Sequence, residues 1–112
     1  MIRLDLPEPP SLNRMWRRVG NRTVLSAEGR AYKERVGVLA RLQGAKVIKG
    51  PVAVELTWRR GRRAGDLDNR WKVIGDSLNG IAYEDDAKIV ELHLYRVDDK
   101  TNPGATVTVR AA

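Results

Sequence analysis

No cysteine occurs among the 112 residues, so neither disulfides nor a thiolate metal site can staple this chain, and its order must come from packing. A chain of this length supports one such core, and residues 1–112 are expected to form a single domain. With 42% hydrophobic residues and a mean hydropathy of −0.45, the composition is that of a globular protein. No run of about 18 apolar residues is present to span a membrane. Met1–Pro10 lacks the apolar stretch of a secretory signal, and the expected location is the cytoplasm.

Periodicity divides the chain into elements. Ile2, Leu4 and Leu6 alternate with Arg3 and Asp5 as in a strand, which Pro7, Pro9 and Pro10 end. Ser11 to Leu25 has no clean period and reads as a basic loop or short irregular segment. Ser26 is placed to cap a helix with Tyr32, Val36, Leu39 and Leu42 on one face, closed by Gly44. Val52, Val54, Leu56 and Trp58 make the apolar face of a second strand. Asp66 or Asp68 caps a second helix that runs to about Leu78, with Trp71, Ile74 and Leu78 inward, and Asn79 and Gly80 stop it. A third strand covers Lys88 to Val97, with Val90, Leu92 and Leu94 on one face. Asp98 to Gly104 reads as a hairpin turn into a fourth strand, Ala105 to Arg110, with Val107 and Val109 inward. The expected fold is α+β, a small mixed sheet with two helices in the order strand-helix-strand-helix-strand-strand.

Charge points to a partner. Lys and Arg number 21 against 14 Asp and Glu, for a net +7, and 15 of the 21 are Arg, whose planar fork suits phosphate. The charge is uneven: residues 1–63 carry +10 and residues 64–112 carry −3. A basic surface that also holds carboxylates suits a metal held against a nucleic-acid phosphate.

Those carboxylates are Asp66 and Asp68, two residues apart where a basic turn becomes a helix. Lys72 follows Asp68 by one turn on the same face, and Asp76 continues the stripe, where it can simply pair with Lys72. A second pair, Asp85 and Asp86, precedes the third strand, whose neighbour is expected to be the strand feeding the first pair. Arg59, Arg60, Arg62 and Arg63 lie just upstream. Oxygen ligands of this kind suit magnesium, which keeps water and substrate phosphate in its remaining positions. Phosphodiester hydrolysis needs no further nucleophile. No P-loop and no G-x-G-x-x-G occurs, so no nucleotide cofactor is expected.

These residues resemble the RusA-type Holliday-junction resolvases of bacteria and their phages. The resemblance covers nearly the whole chain: Leu6-Pro7, Pro9-Pro10-Ser11 and Asn13-Arg14, then Ser26-Ala27-Glu28-Gly29 with Ala31-Tyr32, then Asp66-Leu67-Asp68-Asn69, Lys72 and Asp85-Asp86. It implies a homodimer that cuts four-way DNA junctions with magnesium, or manganese in its place. It implies Asp66, Asp68 and Asp86, rather than Asp85, as metal-binding and catalytic aspartates, and Lys72 as the catalytic lysine. Gly65 stands where a member of that family carries an arginine before the first aspartate. Paired cuts across a nearly twofold junction also call for two sites related by a twofold axis.

Arg14, Arg17, Arg18, Arg59, Arg60, Arg62 and Arg63 are the expected DNA-binding residues. Trp58 and Trp71 belong on apolar stripes, whereas Trp16, among arginines, either packs on the sheet or stacks on a base. His93 faces away from Leu92 and Leu94 and is not assigned to the metal. A nuclease for flap or other branched DNA would use the same site. A non-catalytic binding domain would use its aspartates only as caps.

Overall fold

The alternation from Val52 to Trp58 builds the centre of the sheet. In the computed structural model, which describes residues 1–112, the elements are β1 (Ile2–Leu6), α1 (Leu12–Met15), β2 (Trp16–Val19), β3 (Arg22–Leu25), α2 (Ala27–Leu42), β4 (Val52–Arg60), α3 (Leu67–Ser77), β5 (Ile89–Asp98) and β6 (Gly104–Ala111). β4, the most deeply buried strand, is paired along both edges, antiparallel to β6 and parallel to β5. The sheet order is β1-β6-β4-β5, and α3 is the crossover between the parallel strands β4 and β5.

Four expectations are corrected. The segment Ser11–Leu25 is not irregular: it holds the single turn α1 and the hairpin β2–β3, with Trp16 opposite Leu25 and Val19 opposite Arg22. Every residue of β2 is exposed, so no inside-outside period marked it. Asp98 to Gly104 is not a hairpin, because β5 and β6 flank β4 and do not pair. The turn instead crosses the end of β4, where Asp99 N–H donates to the Arg60 carbonyl (2.9 Å). Leu42 is 78% exposed; the buried stripe of α2 is Gly29, Tyr32, Val36 and Ala40, and Leu42 falls on the far side of a 3.6-residue turn. Finally, β5 is an edge strand that leaves Val90 (65%) and Leu92 exposed, and only Ile89 and Leu94 pack on the core.

The core joins Leu4, Leu6, Val54, Leu56, Val107 and Val109 of the sheet to Val36 and Ala40 of α2 and Ile74 and Leu78 at the end of α3. Trp58 is buried as expected and Trp71 is half-buried against that core. The start of α2 is fastened to α1. Ser26 Oγ accepts from Gly29 N–H (2.9 Å) and donates to the Arg14 carbonyl (2.5 Å). Gly29 lies so close on the Met15 carbonyl that a Cβ has no room. Tyr32 reaches from α2 to donate to the Pro7 carbonyl (2.8 Å), and burial holds its hydroxyl far above the usual tyrosine pKa. No helix is long and apolar enough to cross a membrane.

Candidate active site

Beyond β4, residues 61–66 turn into α3, and a small polar knot fixes that turn. Glu8 accepts from the Trp58 indole N–H (3.0 Å) and from Gly61 N–H (3.1 Å), tying the proline segment to the basic turn. Arg70 lies over the Trp58 ring, 4.8 Å from its centroid, and donates to the Pro9 carbonyl. Gly65 has φ +98°, and a Cβ there would stand 2.8 Å from Arg70 Nη2. Only glycine fits both the backbone and the space.

Asp66 is the N-cap residue of α3 and Asp68 lies in its first turn. Asp66 makes no side-chain cap hydrogen bond, and both residues are exposed. The reading of one or both as caps therefore finds no cap bond to support it. Their carboxylates stand at the positive end of the helix dipole with their lone pairs free. Lys72 is exposed one turn later, and no ion pair joins it to Asp76.

Asp85 and Asp86 differ in role. Asp85 accepts from Ala87 N–H (2.9 Å) and caps a 3-10 turn over Asp86–Lys88; this hydrogen bond, with another shared with Asp86, holds its carboxyl below the usual range. The bond to Asp85 pushes the exposed Asp86 carboxyl above the usual range, assisted by slight desolvation and by the repulsion of Asp85 and Asp76.

Strand pairing is as expected, since the strand after Asp86 pairs with the strand feeding Asp66, but the pairing is parallel. Asp66 and Asp68 follow the Arg60 end of β4, while Asp86 precedes the Val52 end. α3 returns between those ends: Tyr83 bonds the Gly75 carbonyl (2.7 Å) and bridges Ile48 ahead of β4. Asp76 accordingly shares the neighbourhood of Asp86, and Asp68 lies about 12 Å up the helix from Asp76 at 1.5 Å per residue. Within one chain, no three His, Cys, Asp or Glu side chains gather closely enough to hold a metal ion. The donors are all oxygen, as a hard cation requires, and one or two carboxylates suffice for magnesium when water and phosphate complete its shell.

The arginines fall into two groups. Arg59 donates to Thr106 Oγ1 (2.6 Å) and the Asn102 carbonyl (2.9 Å), and the Arg60 side chain, 11% exposed, pairs with Asp98 (2.7 Å). Both hold the end of the sheet. Arg63 touches the same carboxylate at 3.5 Å but is 83% exposed, and Arg14 pairs with Glu28 (3.2 Å) at the surface. Arg17 and Arg18 on the hairpin and Arg62 on the turn are exposed without ion pairs. Trp16 opens that hairpin, 39% exposed. His93 bonds Glu91 (2.8 Å) on the uncovered face of the sheet, remote from any of this. Glu8 and Arg70 were not predicted from sequence: their contacts span 50 and 61 residues, and local pattern carries no signal for them.

A mixed α/β domain that sets exposed, uncommitted carboxylates among free arginines is the kind of protein that cuts nucleic acid. Comparison with known proteins gives the particular kind. The model of the family Endodeoxyribonuclease RusA matches residues 7–110, and the chain belongs to that family. A crossover junction endodeoxyribonuclease of Enterobacteria phage 82 is 37% identical, over 84% of this chain and 78% of its own length. Proteins of the same name from Escherichia coli K12 and Shigella sonnei are also 37% identical over the same shares. The chain is therefore a nuclease, an endodeoxyribonuclease.

Proposed function

We infer that this endodeoxyribonuclease resolves four-way DNA junctions by paired symmetric cuts, as a magnesium-dependent homodimer. The observation that carries the reading is the pair Asp66 and Asp68, exposed at the head of α3 with no capping bond, beside the free Arg62. The relatives named as crossover junction endodeoxyribonucleases support the substrate. Asp66 and Asp68 would hold a divalent cation, which when bound would supply Lewis-acid polarisation of the phosphodiester and a more acidic water.

The chain's own residues do the remainder. Asp66 and Asp68 present adjacent oxygens on a rigid helix end, set in place by the Glu8, Trp58 and Arg70 knot. Lys72, free of any ion pair, offers a cation to the charge that builds on the phosphate oxygens during in-line attack. Arg17, Arg18, Arg62 and Arg63 hold the backbone on either side. The dimer gives Asp86 a part: a second copy, related by a twofold axis, is the source of a third carboxylate that one chain keeps at the far end of α3.

The test is cleavage of a synthetic four-way junction beside a flap, a linear duplex and a single strand, with magnesium and with chelator. Paired nicks on the junction alone, only with magnesium, are expected. Cutting confined to the flap reassigns the substrate while keeping the site, and cutting in chelator removes the metal.

A further inference from the structure

The proline segment, α1, the first turns of α2 and the basic turn enclose a cleft of ≈ 530 Å³, lined by Arg14, Arg35, Arg62 and Arg70 together with Glu8 and Glu28. Both carboxylates have donors already. Glu8 is held by Trp58 and Gly61, and Glu28 by Arg14. Arg35, Arg62 and Arg70 have no carboxylate partner, and Arg70 Nε is buried without any hydrogen-bond partner. Three guanidinium groups without a carboxylate partner thus line one cleft. An anion in the cleft pairs with the guanidinium groups that line it.

The place of the cleft selects the anion. Arg62 and Ala64 precede Asp66 by four and two residues, and Arg70 follows it by one helical turn, its N–H bonded to the Asp66 carbonyl (3.2 Å). The walls are polar and basic, with few apolar side chains to receive a base. Asp66 and Asp68 do not line the cleft, but Ala64 and Arg70 on either side of Asp66 do, so a strand with its phosphate at the two aspartates would pass the opening. We propose that the cleft is a phosphate subsite: Arg35, Arg62 and Arg70 grip one backbone phosphate of the cut strand, next to the one being hydrolysed. The subsite rests on the nuclease reading and adds to it the register of the strand. Arg70, stacked on Trp58 and bonded to Pro9, is the fixed wall, while Arg35 and Arg62, both exposed, close on the phosphate from α2 and the turn.

A phosphate scan tests this. Junctions carry one neutral methylphosphonate at each position flanking the cut, and binding is measured without divalent cation for the wild type, Arg35→Gln and Arg62→Gln. Neutralising one phosphate within two positions of the cut is expected to weaken wild-type binding about tenfold, the worth of a charge-assisted contact. Arg35→Gln and Arg62→Gln, whose side chains are exposed, should keep the wild-type melting temperature, bind the unmodified junction more weakly by up to about tenfold and lose less than the wild type when that phosphate is neutralised. Equal losses at every position in all three proteins, or variants that bind as the wild type does, overturn the subsite. If the wild type cuts the junction while the scan stays flat, the subsite alone falls. If it binds and cuts no branched DNA, the functional reading falls and takes the subsite with it.

Discussion

At the scale of single residues, the site depends on which carboxylates the fold leaves uncommitted. Asp66→Asn and Asp68→Asn should each lower junction cleavage by roughly 100-fold or more, since even indirect partners of a metal are worth 10–100-fold. Junction binding should persist or tighten, because a charge that repels phosphate is lost; gel-shift and single-turnover assays on one protein preparation check both. The second pair separates in the same way. Asp85 spends its oxygen on Ala87 N–H, whereas the Asp86 carboxyl is raised above its usual range, chiefly by its bond to Asp85. Carboxyl NMR titration of the metal-free protein should find Asp86 titrating above Asp85. Asp85→Asn removes the partner and the repelling charge, and should bring Asp86 back down toward 3.8. Gly65, where the resemblance leads one to expect an arginine, is explained by Arg70, whose guanidinium fills the place where a side chain at 65 would begin.

At the scale of elements, the approach of β4 into α3 is the stiffest part of the site. Gly65→Ala puts a Cβ against Arg70 and Trp58 at φ +98°, and about 1–2 kcal/mol of stability should be lost. Cleavage should fall as well, because Asp66 follows directly; urea unfolding and cleavage rates measure the two effects. At the same end of the sheet, Arg60 hydrogen-bonds Asp98 and holds its carboxyl below the usual 3.8. A carboxyl with a depressed folded-state pKa contributes stability above its unfolded value and loses it as pH falls through the folded one. Asp98→Asn should therefore flatten the acid limb of the stability profile, seen as a smaller difference between urea midpoints at pH 6 and pH 3. An unchanged difference would mean that this pair contributes nothing to folding.

At the scale of the molecule, one chain keeps Asp86 apart from Asp66 and Asp68 because β4 and β5 run parallel. If a twofold-related copy supplies Asp86, each site takes residues from both chains. Mixing Asp66→Asn with Asp86→Asn, each inactive alone, should then restore nicking, since the mixed dimer has one site free of both substitutions. Were all the aspartates of a site to come from one chain, every site in the mixture would stay dead. Binding should also fall steeply with salt. Arg17, Arg18, Arg62 and Arg63 on each of two chains, at about 0.9 in the log–log slope per phosphate, predict a slope of about −7.

The sequence by itself determined what depends on neighbours a few residues away. The alternation at Val52–Trp58 and at Ile2–Leu6, the Ser26 cap, the buried stripe ending at Leu78 and the placing of Asp66 and Asp68 at the head of a helix are local, because a strand or helix shows its buried face and its ends in its own period. Motif order along the chain was likewise legible, and it carried the family. Only the tertiary structure decided what depends on distant partners. The hairpin β2–β3 has no buried face to give it a period, and the pairing of β6 with β4 rather than β5 follows from which strand the core can least leave exposed. The separation of Asp86 from Asp68 follows from strand direction, which side-chain alternation does not encode. The cleft of Arg35, Arg62 and Arg70 forms because the proline segment meets α2 across 25 residues of chain and α3 across 61. Charges that look merely solvated in sequence become a site only when packing turns them toward one another.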